Sequence, residues 1–169
     1  MITTKFTTVE TFPSGIKVTM TFNKSLDEGF KLAKNFTVKE LANNLATETV
    51  KAVWNDDVKL HTVMLQRLRD TVGVMNVSSW YRTPSFNKKV GGSSNSLHTR
   101  ALATDVKWPK MTAARRKQVR NAWEEICKAA GVIGGINYYT NGVHLSSRED
   151  LLGYKSFVVR DYRGTSGDW

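Results

Sequence analysis

From residue 16 to residue 22 apolar and polar side chains alternate one for one, with Ile16, Val18, Met20 and Phe22 set against Lys17, Thr19 and Thr21. That period of two predicts a strand with one buried face. A similar run over 6–12 precedes it, and Pro13-Ser14-Gly15 between them supplies turn residues, so the first thirty positions read as a β-hairpin. A polar segment around Asp27-Glu28-Gly29 leads into Phe36-Thr37-Val38-Lys39-Glu40-Leu41. There Thr37 and Glu40 have capping-box spacing and Phe36 can staple onto Leu41, which predicts a helix starting at Thr37. The period then changes to that of a helix after Asn55-Asp56-Asp57, where His61, Leu65, Leu68 and Val72 share a face up to Gly73.

Residues 74–78 read as a short strand, and 79–100 as the longest irregular stretch, rich in Ser, Asn, Gly and Pro. Long irregular segments in compact domains are usually functional. Residues 103–108 form a strand closed by Pro109. Thr112 caps a long helix with an inner face of Val119, Ala122, Trp123, Ile126 and Ala130 and a stop at Gly131. A strand pair, 135–139 and 142–146, turns at Thr140-Asn141-Gly142, and one more strand-like run, 156–159, lies in the tail. The expected fold class is α+β: a small antiparallel sheet with helices packed on one face. Its organisation is an amino-terminal hairpin extension over 1–30 packed on a domain spanning 31–169.

Composition narrows the function classes. At 169 residues the chain can bury a core of its own, and 40% hydrophobic residues exclude a wholly disordered chain. One cysteine, Cys127, excludes an intramolecular disulfide framework and a cysteine-based zinc cage. Lys and Arg number 25 against 15 Asp and Glu, a formal charge of +10, which points to a polyanionic partner. Arg115, Arg116, Lys117 and Arg120 cluster on one helix face, but no nucleic-acid motif accompanies them and a solvated face is the simpler reading. No apolar run approaches the length of a membrane span, and the first residues lack a secretory signal. The expectation is synthesis in the cytosol.

The three histidines separate by context. His61 lies on an apolar helix face and reads as a core histidine. His98 ends the irregular stretch, and Asp105 follows in the next strand, on the face opposite Thr104 and Val106. His144 sits between Val143 and Leu145, so it projects from the polar face when they face the core. Two imidazoles and one carboxylate suit catalytic zinc with an open fourth position, or iron in a facial triad. Spacing alone leaves zinc, iron and an unrelated set of polar residues all open.

The motifs around these residues carry a resemblance. The run from Ser78 to Asn87 followed by Val90-Gly91-Gly92, then Ser96-x-His98-x-x-Ala101-x-Ala103-x-Asp105, then Gly135-Ile136-Asn137-Tyr138-Tyr139 leading to Val143-His144, resembles the zinc D-alanyl-D-alanine peptidase family over about 36–147. That family includes bacterial carboxypeptidases, dipeptidases and phage endolysins that cut the L-alanyl-D-glutamate bond. The resemblance implies one zinc ion on His98, Asp105 and His144, on the open polar face of the sheet. It implies that Arg82 holds the scissile carbonyl or a substrate carboxylate, and that Ser96 hydrogen-bonds substrate or supports a ligand. It further implies peptidoglycan stem peptides as substrate and action on the cell wall once the membrane is opened; the charge of +10 then reads as attraction to anionic envelope polymers, and a monomer is expected.

Two departures bear on these implications. The signature glycine is Ala101 here, a small-for-small change that matters only where the backbone needs a positive φ. The family's general base, a Glu or Asp three residues before the last histidine, is Asn141, and the histidine that other members place two residues before it is Gly142. Zinc alone can activate water, a distant carboxylate among Glu149, Asp150 and Asp161 can reach the site, or the chain is a catalytically degenerate zinc-binding module.

Overall fold

The computed structural model describes residues 5–11, 17–23, 31–42 and 53–164. The hairpin is present as β1 (Lys5–Thr11) and β2 (Lys17–Asn23), paired antiparallel from Lys5↔Asn23 to Thr11↔Lys17. Its turn, the facing of its side chains and the Asp27-Glu28-Gly29 segment lie outside the described residues. Strands β3 (Lys31–Ala33) and β4 (Phe36–Thr37) form a second small pair leading into α1 (Val38–Ala42). The capping box forms as its spacing predicts: Thr37 N–H donates to Glu40 Oε2 at 2.8 Å, and Glu40 N–H reaches Thr37 Oγ1 at 3.4 Å. Phe36 and Leu41, the predicted staple, are both wholly buried.

Two long helices carry the interior. α2 (Asp56–Val72) is capped by Asn55, whose side chain accepts from Val58 N–H, and it stops at Gly73 with a φ of 83°. Its buried positions include His61, Leu65, Leu68 and Val72, as the period predicts. After β5 (Asn76–Ser79) the segment expected to be irregular contains a short helix, α3 (Pro84–Lys89). Thr83 caps it by accepting from Phe86 N–H, and Pro84 sits where a missing N–H costs nothing, so Thr83-Pro84 is a start signal that the Ser/Gly-rich composition hides. A 3-10 turn over Leu97–Arg100 follows, then β6 (Ala103–Lys107). α4 (Ala113–Ala130) runs from its Thr112 cap to Gly131 in the left-handed region, burying Val119, Trp123, Cys127 and Ala130, with Ala122 and Ile126 only partly covered. Cys127 thus joins the expected inner face.

β7 (Gly135–Tyr138), β8 (Gly142–Ser146) and β9 (Val158–Asp161) complete a five-stranded sheet in the order β5-β6-β8-β7-β9. Every pair is antiparallel except β7 with β9, which is parallel, and β9 begins two residues beyond the expected 156. The α+β class therefore holds, with one parallel edge added. Thr104, Val106, Ile136, Val143 and Leu145 are buried on the helix side, whereas Asp105, Asn137 and His144 alternate onto the other face.

Aromatic rings join helices to sheet. Trp80, Trp123 and His61 are wholly buried and meet edge to face, His61 lying 5.8 Å from each indole. Trp123 Nε1–H is shared between the carbonyls of Gly135 and Ser146, both at 3.1 Å, which fastens α4 to the β7–β8 pair. His61 bonds Ser147 Oγ at 2.8 Å through Nδ1 and Thr104 Oγ1 at 2.9 Å through Nε2. It is a core histidine, as its position on the apolar face predicts.

Burial, with smaller contributions from His144 and His98, pushes the His61 pKa down to about 3. The folded chain therefore holds this imidazole neutral, while the unfolded chain protonates it near the ordinary value of about 6.5. Stability from this group is complete above that value and drains away as pH falls from there toward 3. Measured by urea unfolding between pH 7 and pH 4, His61→Gln should lose less stability with falling pH than the wild type, the difference approaching about 1.4 kcal/mol per pH unit.

Candidate metal centre and its cavity

β6 and β8 bring two of the predicted ligands face to face, because Asp105 pairs with His144 in their antiparallel register. The third, His98, arrives from the 3-10 turn that precedes β6. Ser96 caps that turn, its Oγ accepting from His98 N–H at 3.3 Å. The three donor atoms converge: His98 Nε2 lies 3.1 Å from His144 Nδ1, His144 Nδ1 lies 2.9 Å from Asp105 Oδ1, and His98 Nε2 lies 3.3 Å from the same oxygen. Ligands about 2.0–2.1 Å from a tetrahedral zinc are separated by roughly 3.3 Å, so these spacings match one face of such a coordination sphere. Among the described residues His98, Asp105 and His144 form a group that can hold a metal ion.

The surroundings prepare the donors. His98 Nδ1–H donates to the Trp80 carbonyl at 2.6 Å, so its neutral form turns the Nε2 lone pair toward the centre. Burial holds the His98 pKa below its ordinary value against the opposing pull of Asp105, which keeps that lone pair available. Burial alone would raise the Asp105 pKa, but His98 and His144 together hold it well below the usual carboxylate range. Arg82 Nη2 donates to Asp105 Oδ2 at 2.6 Å and Arg82 Nε donates to Ser79 Oγ at 2.9 Å. The guanidinium is nearly buried, and it leaves Oδ1 as the carboxylate oxygen facing the imidazoles. Arg82 thus orients a ligand, a contact that its place in the motif does not reveal.

A cavity of about 390 Å³ opens over the donors, lined by Arg82, Ser96, His98, Asp105 and His144 from the predicted set and by Gly91, Gly92, Ser93, Asn137, Tyr139 and Tyr162. Asn141 is not among the lining residues; it is exposed in the turn before β8. A side chain at the neighbouring Gly142 would place its Cβ 2.3 Å from the Val106 carbonyl oxygen, so this backbone admits only glycine there. None of the three distant carboxylates lines the cavity. Glu149 is buried between Ser146 Oγ at 2.6 Å and Arg160 at 3.3 Å, Asp150 pairs with Arg148, and Asp161 pairs with Arg163. Among the described residues Asp105 is the one carboxylate at the cavity.

Asn137, Tyr139 and Tyr162 were not expected at the site. Alternation along 135–139 was sufficient to place Asn137 and Tyr139 on the polar face, since Ile136 and Tyr138 hold the other parity. Tyr162 reaches the site only because β9 pairs with β7, and its ring stacks on Tyr139 with centroids 5.8 Å apart.

The signature position Ala101 has a φ of 57°, the one positive value among described non-glycine residues. The exchange is therefore not neutral: the turn between His98 and β6 needs the left-handed region, where a β-carbon costs about 1–2 kcal/mol. It is fixed there by Trp80 Nε1–H, which donates to the Ala101 carbonyl at 2.9 Å.

A largely covered His-Asp-His set, with His98 buried and Asp105 and His144 partly exposed, on the open face of an α+β sheet defines a mononuclear metal centre of hydrolytic type. The sequence profile of the family described as Peptidase M15 matches residues 34–146, more than half of the chain, and the chain belongs to that family. It is accordingly a zinc-dependent metallopeptidase, and its donor set fits that metal. No match is found among curated proteins.

Two outcomes follow from the centre. Zinc should raise the thermal midpoint, with about 2.7 kcal/mol of stabilisation when free zinc stands about 100-fold above its Kd, and Asp105→Ala should abolish the shift in a thermal melt. Ala101→Gly should raise the midpoint of the metal-free protein by about 2 °C, since relief of roughly 1–2 kcal/mol of strain exceeds the 0.4–1 kcal/mol of added unfolded-chain freedom.

Proposed function

We propose that the protein hydrolyses peptide bonds in the stem peptides of bacterial peptidoglycan, as a lysis enzyme of the endolysin type. The observation that carries this reading is the convergence of His98 Nε2, Asp105 Oδ1 and His144 Nδ1 within about 3 Å of one another at the floor of an open cavity, in a chain of the Peptidase M15 family. The cavity suits an extended peptide, because its walls are glycine, serine, asparagine and tyrosine rather than an enclosed apolar pocket. The net charge of +10 favours approach to an anionic envelope through a field that salt screens. Among the described residues no helix is long and apolar enough to cross a membrane. In this reading the wall is reached after another agent opens the membrane, and the protein works as a monomer.

In the mechanism His98, Asp105 and His144 hold zinc, which when bound polarises a carbonyl oxygen and lowers the pKa of water to about 7. Arg82 keeps Asp105 turned so that one oxygen is committed to that centre. Trp80, through its carbonyl, keeps the His98 proton on the outer nitrogen. Ser96 fixes the start of the turn that carries His98. With no second carboxylate at the cavity among the described residues, these groups bind and orient while no side chain is assigned as base.

That same observation favours a second reading, a zinc-bearing module that binds wall without cutting it. Nucleic-acid binding draws less support: Arg115 donates to the Val72 carbonyl, and Arg116 to the carbonyls of Met111 and Thr140, so two of the four clustered cations serve the fold.

Zinc-loaded protein incubated with purified sacculi should release peptides bearing new amino termini, lose this activity to a chelator and regain it with zinc. Asn141→Asp should leave the rate within about threefold, because the position stands outside the cavity. Intact sacculi that nevertheless retain the zinc-loaded protein would establish the binding module instead.

A further inference from the structure

A second cavity adjoins the one over the metal donors. It measures about 460 Å³ and is lined by Pro84, Asn87, Lys88, Gly92, Ser94 and Thr99. Gly92 belongs to both linings, so the two spaces meet across the loop that follows α3. None of the metal donors lines this second space, and neither does Arg82 or Ser96.

The divide between the two cavities is bare and fastened. Gly92 presents no side chain there, nor does Gly91 before it. Gly92 N–H donates to the Asn87 carbonyl at 2.8 Å, Gly91 N–H donates to the Lys88 carbonyl at 3.1 Å, and Asn87 Nδ2–H donates to the Ser93 carbonyl at 2.8 Å. The Asn87 side chain is buried, and its Oδ1 fills the space that a side chain at 92 would need, 2.2 Å from where its Cβ would stand. Asn87 therefore fixes a glycine crossing over which an extended chain can pass from the metal cavity into the second one.

The lining of the second cavity sets what it can bind. Lys88 is its one charged residue; it is exposed, stands in no ion pair among the described residues, and no acid shares the lining. Thr99 Oγ1–H donates to the Ser96 carbonyl at 2.7 Å, which leaves the Thr99 oxygen as an acceptor, and Ser94 adds a hydroxyl. An ammonium with hydroxyl groups beside it suits a carboxylate flanked by a peptide N–H. In the metal cavity the corresponding cation is committed: Arg82 binds Asp105 through Nη2 and Ser79 through Nε. The role of holding a substrate carboxylate, expected of Arg82, thus passes to the cation across the glycine divide.

We propose that the second cavity is a substrate subsite for an acidic stem-peptide residue flanking the cleaved bond, with the Lys88 ammonium as the partner of its free carboxylate and Asn87 as a positioning residue. This assignment rests on the peptidase reading above. A glutamate joined onward through its side-chain carboxyl keeps its α-carboxylate free, and amidation of that group removes the charge while preserving the shape. The subsite therefore discriminates between the two forms by charge.

Two soluble muropeptides that differ only in carboxylate against carboxamide at that residue provide the test, compared by kcat/KM at low salt. The wild type should favour the carboxylate by about threefold to fivefold, the scale of one exposed ion pair. Lys88→Gln should bring the two substrates to about the same kcat/KM, through loss on the carboxylate alone. Lys89→Gln changes the neighbouring exposed lysine, which lines neither cavity, and should keep the wild-type preference. Both variants should bind zinc with wild-type stoichiometry. An active wild type without the preference, a preference that survives Lys88→Gln, or an equal loss in Lys89→Gln would overturn the subsite and leave the peptidase reading standing. A zinc-loaded wild type that cleaves neither peptide would overturn the peptidase reading and the subsite with it.

Discussion

The hydrogen bond from His98 Nδ1 to the Trp80 carbonyl, 2.6 Å long, is the constraint on which both the core and the metal centre depend. The Trp80 ring is wholly buried against Phe36 and His61, its indole N–H holds the Ala101 carbonyl, and its own carbonyl selects the His98 tautomer. One residue thus ties the interior packing to the orientation of a ligand. Movement of the ring in the core shifts the carbonyl, and the imidazole moves with it. This is the logic of supporting contacts around metals generally, in which the groups behind the ligands set their geometry and basicity.

The centre is also electrostatically arranged before any metal binds. Two imidazole nitrogens 3.1 Å apart, one buried and kept neutral, share a carboxylate that stays ionised well below its ordinary range. Arg82 occupies the outer oxygen of that carboxylate and thereby separates its two roles. The left-handed Ala101 stores strain in the same turn, and the Trp80 indole bond offsets part of it. Strain at this point is what brings the chain from His98 round to β6 in four residues, so that Asp105 meets His144 in register.

Opposite this floor, the wall made by β7 and β9 shows how a hydrolytic cavity can be furnished without a second carboxylate. The acids that neighbour it in sequence are spent on arginines: Glu149 on Arg160, Asp150 on Arg148, Asp161 on Arg163. What lines the cavity instead are neutral side chains, among them Asn137, held by Arg160, and Tyr139.

Short-range physics was legible in the sequence. The helix of 56–72 follows from its Asn55 cap, its apolar period and Gly73, and the helix of 113–130 follows from Thr112 and Gly131, because caps and periods act over a few residues. The ligand triad was legible too, since alternation turns Asp105 and His144 away from the core and the motif supplies His98. The parallel placement of β9, the capture of Asp105 by Arg82, the exclusion of side chains at 142 by the Val106 carbonyl, and the arrival of Tyr162 beside Tyr139 were not. Each depends on residues far apart in the chain brought to within a few ångströms, and local periodicity carries no information about such distances. The sequence by itself determined the class, the two long helices and the metal donors; the tertiary structure decided which carboxylates are withheld from the cavity and which neutral side chains line it, because pairing across the sheet settles both.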